Sequence, residues 1–327
     1  MLYKWPIIGH EQQVSKLEND LSGGNLSHAY LFVGPDKVGK FLVAKTLAGI
    51  LQCSNNYCRR CPTCIQIEKG AHIDTIEIRD NGESIKIEEV RTLVGTLQMT
   101  AQSNYKIVLI DNIGRMTPDA IGSFLKTLEE PTSKTLFLMT ANNLLELPST
   151  IVSRARVMKF PSLSDKKLRL KIDEMKADLK IESGQEMIEK ASMLSLGRPG
   201  KAIELLRDRD AMTEYLRFYN DIRSFFRDKD LTKRFLYVQG LAQSIADDEE
   251  EDNDDLDVFL EIFVHIARSL LNAKIESPSG ENEDYPEVMR FSKQALLNLI
   301  HKIDETRYLI ARNVNTKLAL ENLMLSF

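Results

Sequence analysis

The segment YLFVGPDKVGKF, residues 30–41, constrains the fold of this chain more than any other stretch. An apolar run leads into a glycine-bounded loop, and a helical pattern follows the loop. Four residues separate Gly34 from Gly39, and Lys40 follows directly. This is the spacing of a phosphate-binding loop, in which backbone N–H groups cradle phosphates and the lysine reaches the terminal ones. Phe41 stands where this pattern has a Ser or Thr hydroxyl for Mg²⁺, and its ring offers no oxygen to the cation. The sequence therefore predicts a nucleotide loop of normal shape with damaged metal chemistry.

Length and charge limit the class of protein. The 327 residues predict two or three domains. Hydrophobic residues make up 43% and charged residues 28%, as in ordinary soluble globular proteins. The net charge of −5 argues against tight DNA binding by this chain alone, because a broad basic face is what holds the phosphate backbone. No uncharged apolar run reaches membrane-spanning length and the N-terminus lacks the apolar core of a signal peptide, so we expect a cytoplasmic protein without a membrane partner.

All four cysteines fall within residues 53–64, at Cys53, Cys58, Cys61 and Cys64. The cluster is too tight for a disulfide scaffold in a protein of this size. Four thiolates at this spacing can close a tetrahedron around Zn²⁺, and such a closed set leaves no position for a reactive water. We therefore expect a structural zinc insertion. The alternative is four buried or incidental cysteines that hold no metal.

Short apolar runs alternate with helical patterns over the first half of the chain. We predict strands at 29–33, 75–78, 105–112, 135–140 and 157–160. We predict helices at 10–21, 38–52, 87–99 and 120–128. Strands that alternate with helices build a parallel sheet whose two faces are covered. This order predicts an α/β domain over residues 1–162.

A carboxylate ends the apolar run that begins at residue 105. Asp111 follows an apparent buried parallel strand, and the C-terminal end of such a strand delivers an acid to a phosphate site, where it would orient Mg²⁺. A hydrolytic enzyme would carry a glutamate next to polarise water, but Asn112 cannot act as a base. An aspartate at a strand end can also be a simple turn or helix cap.

Only helical periodicity follows the sheet-forming half. We divide this part into a small helical domain, 163–210, and a larger all-helical domain, 211–327. The acidic run 247–255 predicts a solvated loop. Wide apolar faces over 256–271 and 294–312 form either a bundle core or a subunit interface, and the sequence leaves both open.

Several segments together resemble the AAA+ subunits of the bacterial DNA polymerase III clamp loader. These segments are 28–32, the four-cysteine insertion, 125–131, 150–154 and 313–321. The resemblance covers nearly the whole chain. It implies an AAA+ P-loop module with a parallel sheet and flanking helices, a small helical lid, and an all-α collar through which subunits assemble into a hetero-oligomer. It also implies contact with the sliding clamp and primer-template DNA through that complex.

The departures from the family pattern suggest which kind of subunit this is. An active motor of the family carries a hydroxyl residue at the position of Phe41, a glutamate at Asn112 and a lid arginine at Gly200. Losing metal ligation, water activation and a phosphate contact should make hydrolysis negligible. Arg154 is kept, and the resemblance implies that it acts in trans as an arginine finger on the γ-phosphate held by a neighbouring subunit. The resemblance therefore implies a non-hydrolysing loader subunit, with nucleotidyl transfer carried out by another subunit.

Two other functions stay open at this point. The chain could be a divergent ATPase motor that holds Mg²⁺ through Asp111 and water, or a stand-alone nucleic-acid-binding module that uses the zinc insertion. Lys40 is present, which leaves static binding of ATP or ADP open without hydrolysis.

Overall fold

The computed structural model describes residues 3–132, 134–228, 230–247, 254–276, 286–310, 312 and 314–326. The chain forms two compact units, Met1–Glu204 and Leu205–Phe327. The further division of the first unit into a module and a lid stays a prediction. Most of the predicted acidic loop, residues 248–253, lies outside the described residues.

The first unit contains one five-stranded parallel sheet. Its strands are β1 (Ala29–Val33), β2 (Thr75–Ile78), β3 (Lys106–Ile110), β4 (Thr135–Ala141) and β5 (Arg156–Lys159). They lie side by side in the order β2-β3-β4-β1-β5. The predicted α/β fold with a parallel sheet is confirmed, and β5 begins one residue earlier than predicted. Because all strands are parallel, their C-terminal ends meet at one edge, where Val33 pairs with Ala141.

Helices cover both faces of the sheet. They are α1 (Glu11–Ser22), α2 (Lys40–Gln52), α3 (Pro62–Glu68), α4 (Ile87–Leu97), α5 (Pro118–Glu129) and α6 (Ser149–Val152). Three further helices follow β5, namely α7 (Asp165–Leu179), α8 (Gln185–Leu194) and α9 (Pro199–Arg207). One face packs Phe32 and Phe160 beneath α1 and α2, and on the other face Phe124 of α5 packs edge-on against Phe137 of β4. Strands β1, β3 and β4 are buried on both faces, which explains why they read as continuous apolar runs.

Helix α4 ends two residues before the predicted position. The ammonium of Lys106 on β3 donates to the carbonyl oxygens of Thr96, at 3.1 Å, and Leu97, at 2.8 Å. The buried ammonium thus binds carbonyl oxygens in the last turn of α4. In a longer helix, these oxygens would accept hydrogen bonds from the amides of the next turn. Met99 therefore lies beyond the helix and is 69% exposed.

Helices are the regular secondary structure of the described residues in the second unit. Its helices are α10 (Arg209–Arg227), α11 (Leu231–Asp247), α12 (Asp254–Glu276), α13 (Lys293–Ile310) and α14 (Thr316–Met324). Phe226, Phe259 and Phe263 are among the largest side chains in its core. The buried guanidinium of Arg234 donates to the carbonyls of Phe225 and Asp228 where α10 ends. Within the residues that the structure covers, no helix is long and apolar enough to cross a membrane.

Candidate functional site

The predicted phosphate loop joins β1 to α2 at the C-terminal edge of the sheet. Gly34 begins the loop, and a Cβ there would lie 1.9 Å from the carbonyl oxygen of Phe160. Gly39 caps α2 with a φ of 101°, a conformation that side chains rarely adopt. Both glycines of the motif are therefore required by the backbone path, independently of any ligand.

Lys40 is buried and donates to three oxygens of its own chain. Its Nζ lies 2.7 Å from the carbonyl oxygens of Gly34 and of Pro35, and 3.0 Å from Oδ1 of Asn142. Burial lowers the pKa of Lys40 to about 8, against the raising effect of the Asp36 and Asp111 charges. An ammonium has three N–H donors, so a phosphate reaches Lys40 only by replacing one of these bonds.

Asp111 follows β3 and points toward the same edge of the sheet. Thr140 Oγ1 donates to Asp111 Oδ1 across 2.7 Å. Burial raises the pKa of Asp111, although the Thr140 bond and the charges of Lys40 and Arg79 lower it. Asn112 uses its side-chain amide to donate to Asp80 Oδ2 across 2.8 Å. The structure thus brings Asp111 and Lys40 into electrostatic contact, but Asn112 offers no base.

The ring of Phe41 lies against an arginine that sequence reasoning missed. The guanidinium carbon of Arg79 sits 4.4 Å from the ring centroid, and Arg79 also pairs with Glu77. Glu77 also forms an ion pair with the ammonium of Lys45, at 3.3 Å. Arg79 comes directly after β2, so its position at a C-terminal strand end was the signal that could have identified it.

The first turn of α9 contacts the phosphate loop. The Gly200 amide donates to the Lys37 carbonyl oxygen across 2.8 Å, and Lys37 Nζ pairs with Glu204 at 2.7 Å. A Cβ at Gly200 would lie 2.8 Å from that carbonyl oxygen. A side chain at this position therefore requires the loop to move.

Arg154 lies in the short turn between α6 and β5, away from the phosphate loop in sequence. Its guanidinium donates to the Thr150 carbonyl oxygen at 2.9 Å and to Ser153 Oγ at 3.1 Å. It also pairs with Glu129 Oε1 at 2.5 Å. The side chain remains 34% exposed, so the charge is held at the surface and not in the core.

The four cysteines converge between α2 and α3. All four Sγ atoms lie within 4.8 Å of one another, and three of their separations are 3.8, 3.9 and 4.0 Å. Tetrahedral Zn²⁺ with bonds of about 2.3 Å places thiolates about 3.8 Å apart, so this donor set fits the metal. Hydrogen bonds from the Arg60 and Cys61 amides lower the pKa of Cys58 to about 6, whereas burial raises the pKa of Cys64 above its usual range.

Comparison with known proteins gives matches over the module that carries these residues. Residues 9–164 match the family model described as "DNA polymerase III, delta subunit". DNA polymerase III subunit gamma of Buchnera aphidicola is 35% identical over 167 residues, which cover 50% of this chain and 46% of that protein. Residues 9–164 belong to the AAA+ clamp-loader family. For these residues, this confirms the resemblance to clamp-loader subunits that was inferred from the sequence.

Other relatives of this clamp-loader module match over more of the chain. DNA polymerase III subunit gamma/tau of Mycoplasma genitalium is 24% identical over 315 residues, 91% of this chain and 53% of the relative. The solved gamma subunit-related protein of Thermotoga maritima is 18% identical, with 94% of this chain and 97% of that chain covered and a TM-score of 0.44. The chain spans about half the length of the two curated relatives.

The clamp-loader module contains every predicted site residue. Gly34, Gly39, Lys40 and Asp111 gather near the sheet edge, the cysteines form a separate cluster, and Arg154 lies on the surface. The roles given to these residues stay predictions. Gly200 lies beyond the segment that the family model matches.

Proposed function

We propose that this chain is a delta-prime-like subunit of the DNA polymerase III sliding-clamp loader. It supports assembly of the loader and supplies Arg154 to the nucleotide of a neighbouring ATPase subunit during DNA replication. Its partners are gamma/tau and delta subunits, and it meets the sliding clamp and primer-template DNA through the complex. It hydrolyses no ATP itself.

The observation that carries this proposal is the pairing of Phe41 with Arg79. A motor needs a hydroxyl ligand for Mg²⁺ at position 41, and this chain has an aromatic ring there, covered by an exposed cation at 4.4 Å. A positive charge beside Asp111 disfavours a divalent cation through Coulomb repulsion. These features support a phosphate loop that has kept its backbone and lost its metal.

Water activation is also unsupported at this site. The side chain after Asp111 is an amide that donates to Asp80, so it neither accepts a proton nor orients an attacking water as a carboxylate would. Lys40 already donates to three protein oxygens. ATP or ADP would have to displace one of them, and the proposal leaves such a ligand static.

Arg154 has the properties of a group that acts on another molecule. It is partly exposed, and its guanidinium is held on a short turn by one main-chain contact and one side-chain contact, besides the Glu129 pair. An arginine finger in trans stabilises charge that develops on the γ-phosphate and contributes about 10³–10⁵ in kcat. This magnitude makes the proposal measurable.

The cysteine cluster has a structural role in this proposal. Zn²⁺ would be held by Cys53, Cys58, Cys61 and Cys64. A bound ion would cross-link the segment between α2 and α3. Four protein ligands close the coordination sphere, so the ion takes no part in phosphate chemistry.

The decisive experiment is the ATPase activity of a reconstituted loader. The chain would be combined with the gamma/tau and delta subunits of its own organism, the sliding clamp and primed DNA. We expect Arg154→Ala to reduce kcat at least about 10²-fold and Lys40→Ala to change it less than about twofold.

Arg156→Ala is the matched control for this experiment. Arg156 is two residues away, is also partly exposed and also pairs with an acid of its own chain, Asp20, at 2.7 Å. Its loss should leave kcat near the wild-type value. An Arg154→Ala loader with unchanged kcat would overturn the trans-acting role.

The second candidate is an ATP-hydrolysing gamma/tau-like motor. The names of the curated relatives favour it, because those proteins are called gamma, tau or gamma/tau subunits. Under this alternative Lys40→Ala would be the damaging change, and the purified chain would hydrolyse ATP with primed DNA and clamp. Either result would displace the first proposal.

A further inference from the structure

Glu129 contacts the guanidinium of Arg154 more closely than any other described group. Its Oε1 lies 2.5 Å from Nη2, whereas the Thr150 carbonyl oxygen and Ser153 Oγ lie 2.9 and 3.1 Å from Nη1. The two terminal nitrogens are thus held from different elements. Contacts from α6 and from α5 together fix the plane of the guanidinium.

Glu129 is placed on a rigid support. It is the last residue of α5, whose inner face buries Phe124 and Leu128 completely against the sheet. Thr117 caps the start of this helix, and Pro131 follows its end. The Glu129 side chain itself is 46% exposed, so it reaches Arg154 at the surface.

The contacts leave part of the guanidinium available to a ligand. A guanidinium carries five N–H donors, and the three contacts described use three of them. Two donors remain, which is the number needed for a bidentate contact to a phosphate group. A carboxylate at Nη2 therefore orients the arginine without using up its capacity to bind an anion.

We propose that Glu129 is the positioning residue for Arg154 in the action on a neighbouring subunit's nucleotide. This inference rests on the proposed function. An unrestrained arginine samples many rotamers, and ordering them during the reaction would raise the barrier. Glu129 orders the side chain beforehand through a hydrogen bond at a fixed distance.

The test uses the reconstituted loader with variants at residue 129 that separate the effect of side-chain length (its reach) from the effect of charge. Glu129→Asp keeps the charge but is one methylene shorter, and Glu129→Gln keeps the reach and the acceptor oxygen but loses the charge. Glu129→Ala removes both properties. Glu130→Ala is the matched control, because Glu130 is the next residue and is equally an exposed acid.

We expect Glu129→Ala and Glu129→Asp to lower kcat about 10-fold with the KM for ATP unchanged within about twofold. Glu129→Gln should retain at least half of the wild-type kcat, and Glu130→Ala all of it. The pair is largely exposed, so these variants should keep their thermal stability and their assembly into the loader, which melting and gel filtration would check.

The outcomes distinguish the two proposals. If Arg154→Ala has no effect, the trans-acting role fails whatever Glu129 does. If Arg154→Ala abolishes turnover while every Glu129 variant behaves like Glu130→Ala, the role of Arg154 stands and the positioning role of Glu129 is overturned. A Glu129→Asp loader with full activity and an inactive Glu129→Gln loader would also overturn it, because charge and not reach would then matter.

Discussion

The main-chain amide of Gly200 donates a hydrogen bond of 2.8 Å to the carbonyl oxygen of Lys37. This bond joins the first turn of α9 directly to the phosphate loop. Lys37 has a φ of 59°, and its ammonium pairs with Glu204 on the same helix. The contact depends on the absence of a side chain at residue 200, because a Cβ would lie 2.8 Å from that same carbonyl oxygen.

We therefore expect Gly200→Ala to destabilise the protein by about 1–3 kcal/mol, since main-chain atoms must move to make room. The matched control is Gly122→Ala in α5, where a Cβ would meet nothing within 4 Å. Alanine there should stabilise the helix by about 0.5–1 kcal/mol. Denaturant unfolding of both variants checks the contrast, and equal effects at the two sites would contradict it.

The buried ammonium of Lys40 predicts a specific dependence of stability on pH. Its pKa is lowered from an ordinary value of 10.5 to about 8, so above about pH 8 the unfolded chain binds a proton that the folded chain has released. The free energy of unfolding then rises with pH through this window. Between pH 7 and pH 9.5, the wild-type protein should gain about 2 kcal/mol relative to Lys40→Met.

The comparison with Lys40→Met cancels the titration of all other groups to first order. Denaturant midpoints for the two proteins, measured at several pH values, give the difference directly. A difference that stays constant with pH would mean that the ammonium of Lys40 is as well solvated in the folded chain as in the unfolded chain.

The cysteine cluster predicts that the protein binds one zinc ion per chain. Removal of the metal should lower the Tm by at least about 5 °C, because a structural zinc stabilises only the folded state. The Cys58→Ala protein should already have this lower Tm before any metal is removed, and a chelator should not lower its Tm further. Metal analysis and melting curves check both statements, and a zinc-free protein with four reactive thiols would refute the site.

Gly49 provides an independent test of how the zinc segment packs. The ring of Tyr57 lies so close to α2 that a Cβ at Gly49 would be 2.3 Å from it. We expect Gly49→Ala to displace Tyr57 and to destabilise the protein by about 1–3 kcal/mol. Gly95→Ala, in the open surroundings of α4, is the control and should be neutral or stabilising. Unfolding measured by denaturant distinguishes the two.

Restoring the hydroxyl at residue 41 should not restore hydrolysis. Phe41→Ser removes the stack with Arg79 and should cost about 1–2 kcal/mol of stability, from lost burial and the lost cation–π contact. ATP turnover by the purified variant with Mg²⁺ should remain at background, because Asn112 still offers no base. Turnover restored by Phe41→Ser alone would mean that metal ligation was the only defect.

The strands of the sheet could be predicted from the sequence because each buried strand is a continuous local run of apolar residues. The runs at β1, β3 and β4 are buried on both faces, so their composition alone identified them. Helix α3 was not predicted, because it has only seven residues and lies inside the cysteine segment. The end of α4 was predicted two residues too late, because its position depends on Lys106 from another element.

The sequence by itself determined the order of elements, the phosphate-loop spacing, the cysteine cluster and the family of the N-terminal module. Each of these depends on residues that are close together along the chain. Only the tertiary structure brought Arg79 onto Phe41, Gly200 onto Lys37 and Glu129 onto Arg154. These pairs join separate elements, and a contact between distant segments leaves no periodicity or spacing that one sequence can reveal.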